Sequence, residues 1–350
     1  MTKAIAQEES EMVLQLLKKI MPVDSPPLEF AAARCLWRRL YYCGCRRCVE
    51  VCRSGALSLC GDQISLDQAA CTACMRCSAV CPNDALIAAP DLYRLLDGMD
   101  TDEEVLFSCV RQPRLQGERY TLSCLGQFTD EALIAIALQG PRSVVFNVAA
   151  CHGCTNRESA TAAINALERI TAMLQPLMRA KITLLQSGHP EFPAETANRR
   201  DFLTGLTGKI RSSALRAIVG PSPVNPESHD NRRRIPWRRR LLLQVEKSLD
   251  FQGKTQLREI CNPRLRRNEN CELCPSCAGI CPSGALRLEE DDGERLLFDG
   301  RLCSSCGLCV TFCRKGALLL IEAPIFTGTE DLAVERGINP AENPRGEEEI

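Results

Sequence analysis

Cys71-Thr72-Ala73-Cys74-Met75-Arg76-Cys77-Ser78-Ala79-Val80-Cys81-Pro82 sets four thiols in the register C-x2-C-x2-C-x3-C-P. The first three are close enough to wrap three irons of one cubane on a tight loop. The fourth opens the next element and points away, toward a second cluster. A structural zinc knot is the plainer alternative, but its cysteines usually come as two separated C-x-x-C pairs. The run occurs, with variations, four times in the 350 residues. The rest of the chain then reads as support for a row of electron carriers.

Working outward, residues 32–90 form one module with two such motifs. Its opening motif is irregular: Cys43-Gly44-Cys45-Arg46-Arg47-Cys48-Val49-Glu50-Val51-Cys52 has a first interval of one residue rather than two, and Arg53 stands where proline is usual. Gly44 gives the backbone freedom to bring Cys43 and Cys45 round the same cluster. Ser54-Gly55-Ala56-Leu57 and Asp84-Ala85-Leu86 occupy matching positions after the two motifs. Residues 261–326 repeat the arrangement, with Cys271, Cys274, Cys277 and Cys281-Pro282, then Cys303, Cys306, Cys309 and Cys313, and Arg314 in the place of proline. This is an internal duplication of a whole two-cluster unit. Both units resemble bacterial two-cluster ferredoxins, in which the fourth cysteine of each motif serves the other cluster. That rule implies four 4Fe-4S clusters: Cys43, Cys45, Cys48 and Cys81; Cys52, Cys71, Cys74 and Cys77; Cys271, Cys274, Cys277 and Cys313; Cys281, Cys303, Cys306 and Cys309.

Between the modules, residues 91–220 have another character. Glu104–Cys109 and Arg119–Cys124 are short apolar runs ending in cysteine, and Ser143–Ala150 is a buried type of strand leading into Cys151-His152-Gly153-Cys154. A helix over Asp130–Gln139 is capped by Thr129 and stopped by Gly140-Pro141. A second helix opens on a capping box, Thr155 to Glu158, and buries Ile164, Leu167, Ile170 and Leu174, before a strand over Lys181–Gln186. Strands alternating with helices predict a parallel sheet, and all four cysteines fall at its carboxyl edge, where open α/β sheets place their sites. The fold class expected is thus α/β and α+β: two ferredoxin-like modules flanking a small parallel-sheet domain. Cys109, Cys124, Cys151 and Cys154 can converge on one metal centre, and a 2Fe-2S cluster, a 4Fe-4S cluster or zinc would each satisfy four thiolates. Free buried cysteines are the simpler reading. His152 reads as a neighbour of the site rather than a ligand.

The segment Leu106–Gln186 resembles the iron–sulfur (delta) subunit of methyl-viologen-reducing hydrogenases, through Ser123-Cys124-Leu125-Gly126, Ala132-Leu133-Ile134, the strand Val144–Val148 and Cys151-His152-Gly153-Cys154. The family's cysteine-rich opening is here reduced to Cys109, and its interval between the last two cysteines is shortened. The resemblance implies a cysteine-bound cluster, generally 2Fe-2S, that passes electrons between a hydrogenase and a disulfide reductase or related partner. Lying between two modules in sequence, the domain is expected to act as a redox junction.

The flanking segments are less informative. Residues 1–31 carry an amphipathic helix over 8–21, with Met12, Val13, Leu16, Leu17 and Ile20 at helical spacing. Residues 201–219 read as a helix, and 221–260 as a basic linker and helix in which Arg232–Arg234 and Arg238–Arg240 bracket Trp237. That run suggests a solvated helix start or a docking patch for an acidic protein, with nucleic acid or a membrane surface as the lesser readings. Residues 327–350 read as an acidic, disordered tail. Cys35, Cys60 and Cys261 are taken as ordinary buried thiols.

With 23 cysteines at metal-binding spacings and a net charge of −1, neither a disulfide scaffold nor a globally nucleic-acid-binding protein is indicated. No secretory signal or membrane span is visible, so a cytoplasmic protein is expected. There is no dinucleotide fingerprint, P-loop, haem attachment site or CxxxCxxC radical motif. The expected function is therefore a non-catalytic electron-transfer subunit, or polyferredoxin. It would serve a multisubunit oxidoreductase such as a hydrogenase, formate dehydrogenase or molybdopterin enzyme. Two alternatives belong to other classes: a redox sensor acting through the Arg232–Arg240 patch, and a reductase of disulfides or small substrates with catalysis at the central cluster.

Overall fold

The computed structural model describes residues 28–40, 43–61, 63–89, 91–97, 104–112, 120–186, 233–289 and 295–327. The helices expected over 8–21 and 201–219, the loop at 220–226, Arg232 and residues 328–350 of the tail lie outside them.

The first module is built from two antiparallel strand pairs. Strand β1 (Leu28–Phe30) precedes the expected boundary at residue 32. Strands β2 (Leu57–Cys60) and β3 (Gln63–Leu66) form a hairpin whose turn includes Gly61 at φ +59°, a conformation glycine adopts without steric cost. Strand β4 (Leu86–Ala88) returns to β1 in the register Leu28↔Ala88 and Phe30↔Leu86. Two short helices, Arg47–Glu50 and Arg76–Val80, each follow a cysteine loop and pack against one another.

In the central domain, β5 (Glu104–Cys109), β6 (Tyr120–Leu122), β7 (Ser143–Asn147) and β8 (Lys181–Leu185) form one parallel sheet in the order β6-β5-β7-β8. Phe107 meets the ring of Phe128 edge-on at 5.1 Å and stacks on Phe146 at 5.4 Å, the offset and edge-to-face contacts aromatic pairs favour. Helix Asp130–Gln139 is capped by the Thr129 hydroxyl, which accepts from the Ala132 N–H, and is buried from Glu131 through Leu138. A helix apolar all round needs cover on every side. It packs on helix Arg157–Leu174 and on helix Trp237–Ser248.

The second module repeats the first. β9 (Arg264–Arg267) pairs with β12 (Leu318–Ile321), and β10 (Leu286–Glu289) pairs with β11 (Arg295–Phe298), all antiparallel. The cysteine-loop helices are Ser276–Ile280 and Leu308–Thr311. No described helix is long and apolar enough to cross a membrane.

The basic run differs most from expectation. Arg238 and Arg239, 7% and 1% exposed, are buried rather than presented to solvent or a partner. Arg238 Nε donates to Asp84 Oδ1 at 3.1 Å and Nη2 to the Ala79 carbonyl at 3.2 Å, with Glu131 Oε2 at 3.9 Å from Nη1. The Trp237 N–H donates to Asp84 Oδ2 at 2.6 Å, so a carboxylate of the first module takes the place of a cap at this helix start. Arg239 donates to the carbonyls of Arg301, Cys261 and Gly300 and to Asn262 Oδ1, at 2.8–3.1 Å. Neighbouring arginines thus fasten one helix to both modules, while Leu242 and Val245 join the central core. Burial takes Arg238 and Arg239 out of any free docking face, because these two guanidiniums spend donors on internal acceptors, whereas Arg233 and Arg234 are exposed.

Candidate iron–sulfur sites

The cysteine loops share a backbone device. The residue before the second cysteine is left-handed in every motif: Gly44 at φ +65°, Ala73 at +54°, Leu273 at +53° and Ser305 at +52°. Left-handed backbone is uncommon for residues other than glycine. Its recurrence at matched positions reflects the need to point successive thiols inward.

One cavity of the second module is lined by Cys281, Cys303, Cys306 and Cys309, with Leu286, Phe298 and Leu320 as apolar walls. Three cysteines come from one motif and one from the other. In the first module a cavity at the other cluster position is lined by Cys35, Cys45, Cys48 and Cys81. Cys43, expected in this set, is not among its lining residues, and Cys35, taken as an ordinary thiol, is. Cys77 lies near enough to Cys74, Cys48 and Cys52 to feel their charge, and Cys277 near enough to Cys271 and Cys274. Burial pushes the thiols of Cys48 and Cys303 up to about 12 and that of Cys306 to about 11; neighbouring cysteines add to this at all three. Such thiols ionise when a metal supplies the compensating charge.

The central cavity is larger, about 1020 Å³ of free space, partly open to solvent, against about 370 Å³ and 320 Å³ in the two modules. Cys109, Cys124, Cys151 and Cys154 all line it. Cys109 ends β5, Cys124 follows β6, and the other two lie in the turns after β7. Backbone amides are aimed at the sulfurs: the Gly126 N–H donates to Cys124 Sγ and the Asn156 N–H to Cys154 Sγ, both at 3.4 Å. Gln112 Nε2 reaches Cys151 Sγ at 3.5 Å while its carbonyl holds the Ala150 N–H at 3.0 Å. Burial, and then the neighbours Cys109, Cys74 and Cys151, push Cys124 to about 11, against the pull of the Gly126 N–H. His152 is exposed. Amides placed on sulfur favour the thiolate, the form that binds iron.

Among the described residues no three His, Cys, Asp or Glu side chains converge closely enough to hold a single metal ion. A zinc site would bring four ligands to about 2.0–2.3 Å of one point. The thiols line the three cavities without closing on one point.

The rim of the central cavity is shared with the first module. Arg111 Nη2 and Asn156 Nδ2 both donate to the Thr72 carbonyl, at 3.1 Å and 2.9 Å, inside the Cys71–Cys77 loop. A Cβ on Gly126 would lie 2.5 Å from the Cys74 carbonyl oxygen, so only glycine permits this approach. The expected capping box is absent for the same reason. Helix Arg157–Leu174 begins after Asn156 with no side-chain cap; the Thr155 hydroxyl accepts from Arg111, and Glu158 pairs with Arg53 at 2.8 Å. On the other side of the first module, Arg47 Nη2 donates to the Ser305 carbonyl in the Cys303–Cys309 loop at 2.7 Å. Of the remaining thiols Cys261 is buried, whereas Cys60 is exposed, contrary to its reading as a core residue.

Residues 64–87 match the 4Fe-4S binding domain family. The chain is 43% identical over 51 residues to the DNA-directed RNA polymerase subunit Rpo3 of Methanosarcina mazei, covering 14% of this chain and 19% of that protein. It is 43% identical over 65 residues to the isethionate sulfite-lyase activating enzyme of Nitratidesulfovibrio vulgaris, covering 18% of this chain and 20% of that enzyme. The chain thus spans about a fifth of the length of these curated relatives. No solved structure matches it. With the duplicated cysteine loops and the family match over Cys71–Cys81, the chain is an iron–sulfur protein with 4Fe-4S ferredoxin-like architecture, suited in general to electron transfer.

Proposed function

We propose that the chain is a polyferredoxin that relays single electrons between partners of a multisubunit oxidoreductase, with five ligand sets in one line. The order runs from the central four cysteines to Cys52/Cys71/Cys74/Cys77, then to the set containing Cys45, Cys48 and Cys81. It continues to Cys281/Cys303/Cys306/Cys309 and ends at Cys271/Cys274/Cys277/Cys313. The contact of Thr72 with Arg111 and Asn156 carries this reading, because it seats one ligand loop on the rim of the next site. The Arg47–Ser305 bond supports the step between modules. Bound clusters supply one-electron exchange, at potentials set by their surroundings. In this order the central domain is one end of the line rather than the junction its place in the sequence suggests. Its open mouth is where a partner's centre would approach. The resemblance to the hydrogenase delta subunit supports a cluster there, and a hydrogenase, formate dehydrogenase or molybdopterin enzyme remains the class of partner proposed. The sensor reading needs a free arginine patch, and Arg238 and Arg239 are buried.

Anaerobic purification with iron, sulfide and zinc analysis tests the proposal. Four cubanes require roughly sixteen irons per chain, before the central site is counted. Saturation at about half that value, or zinc in the central site, would sink it.

A further inference from the structure

Three observations concern the fourth ligand of the cluster that uses Cys45, Cys48 and Cys81. The first is register. Measured from the left-handed residue before the second cysteine, Gly44 matches Ala73, Leu273 and Ser305, so Cys45 matches Cys74, Cys274 and Cys306. The first-ligand position then falls on Tyr42, which has no thiol. Cys43 matches Thr72, Glu272 and Ser304, which are not ligands in any regular motif. The irregular interval therefore reads not as a compressed loop with the usual ligands, but as a loop that keeps the left-handed residue before its second cysteine and has no thiol at the first-ligand position of its sequence.

The second observation is the cavity itself. Cys35, Cys45, Cys48 and Cys81 line one space, as Cys303, Cys306, Cys309 and Cys281 do in the second module. Cys43 does not line that space; its sulfur accepts the Cys45 N–H at 3.5 Å.

The third is that Cys35 is fastened beside Cys81. Asn83 Nδ2 donates to the Arg34 carbonyl at 2.6 Å, and Arg34 Nη1 donates to the Asp84 carbonyl at 3.3 Å. The residue before Cys35 is thereby clamped to the turn that follows Cys81. Two residues after the fourth cysteine, where Asn83 stands, the other motifs have Ser54, Ser283 and Lys315.

We propose that Cys35, not Cys43, is the fourth thiolate of this 4Fe-4S cluster, giving the set Cys35, Cys45, Cys48 and Cys81. The inference rests on the cluster reading above and deepens it. It also explains the spacing: a thiol supplied from a preceding segment releases the loop from carrying one.

The test uses the full chain, purified without oxygen and loaded with iron and sulfide, as wild type, Cys35→Ser and Cys43→Ser. Cys35→Ser should lose about four irons per chain and one cubane signal by EPR or Mössbauer spectroscopy, with the other signals intact. Cys43→Ser should keep the full complement. As an independent readout, thiols are alkylated in the native state, then the chain is unfolded and labelled with a second, isotopically distinct reagent. Cys35 should be protected in loaded protein and become reactive together with Cys45 and Cys48 when a chelator strips the iron. Cys43 should react in both states. Loss of the cluster from Cys43→Ser, alone or alongside Cys35→Ser, overturns the inference, as does protection of Cys35 that survives stripping while Cys45 and Cys48 react. A wild type without iron would instead defeat the cluster reading itself.

Discussion

The two ferredoxin-like modules share strand pairing, a left-handed residue in each cysteine loop and a cavity lined from both motifs, yet the first differs from the second where it meets its neighbours. Arg53 stands where proline is usual, as Arg314 does in the second module, but Arg53 reaches Glu158 of the central domain. Asp84 occupies a left-handed position, φ +49°, where the three equivalent turns have Gly55, Gly284 and Gly316, and it holds Arg238 and the Trp237 N–H. The second module keeps glycine at its matching turns. Module one meets the central domain at Thr72 and module two at Arg47, while module two also joins the central core through Cys261 and Ile325. Departures from a repeat therefore mark assembly contacts, and they can be challenged one at a time.

The largest effect should come from removing a crossed ligand. Cys52→Ala should abolish the cluster of Cys71, Cys74 and Cys77 while leaving the Cys45/Cys48/Cys81 cluster, and so interrupt the line beside the central site. In the second module, Cys313→Ala should remove only the terminal Cys271/Cys274/Cys277 cluster. EPR of each reduced variant, with electrons supplied at a known end, separates the two. Loss of the nearer cluster in either variant would show that the crossed arrangement does not hold in that module.

Next comes Asp84. Left-handed backbone at a non-glycine residue costs about 1–2 kcal/mol, so Asp84→Gly relieves strain. The same change strands Arg238 in the interior, and removing one partner of a buried ion pair costs about 3–5 kcal/mol. Burial pushes the Asp84 carboxyl up, while Arg238 and the Trp237 N–H pull it back. The pair should win: Asp84→Gly is expected to lower unfolding stability in urea by a net of about 1–4 kcal/mol. A more stable variant would mean that Asp84 is merely strained.

Gly126 tests the same asymmetry on a smaller scale. Alanine there would press on the Cys74 carbonyl at 2.5 Å and Ser159 Cβ at 2.8 Å, an overpacking expected to cost about 1–3 kcal/mol and to slow reduction of the first module from the central site. Gly279 in the second module has open space around its Cβ position, so Gly279→Ala should be neutral or stabilising by up to about 1 kcal/mol. Thermal unfolding and rapid-mixing kinetics of loaded protein would show whether the first contact is as tight as its geometry.

What was legible in the sequence follows from the range of each signal. The regular motifs, the duplication and the parallel sheet are written in local spacing and periodicity, and the strands and the Thr129-capped helix stand close to where those patterns put them. The same patterns carry no information on what is far away in the chain. Arg238 reads as a surface charge until Asp84, more than a hundred residues upstream, is seen against it. Thr155 and Glu158 spell a capping box, but Arg111 and Arg53 claim both side chains. Cys35 lies outside any local motif. The one usable signal was arithmetic: an irregular loop short of one correctly spaced cysteine, and a spare cysteine just upstream.

The smallest effect concerns two cysteines in the second place of their motifs, one in the last set of the line and one in the set beside the central site. Cys274 is exposed, and hydrogen bonds from the Ser276 backbone and side chain hold its thiol below the ordinary value. Its counterpart Cys74 is half-buried against Gly126 and close to Cys124. A lowered pKa raises the thiolate fraction at neutral pH, and the thiolate is the reacting species. In iron-free protein, iodoacetamide should therefore modify Cys274 ahead of Cys74, and well ahead of Cys303 and Cys309, whose burial disfavours ionisation. In loaded protein all four should be protected, with Cys274 first to become reactive as a chelator is added, because its loop is the most open to solvent. If Cys74 is released first, the contact with the central domain does not shield that loop, and the first module is no more enclosed than the second.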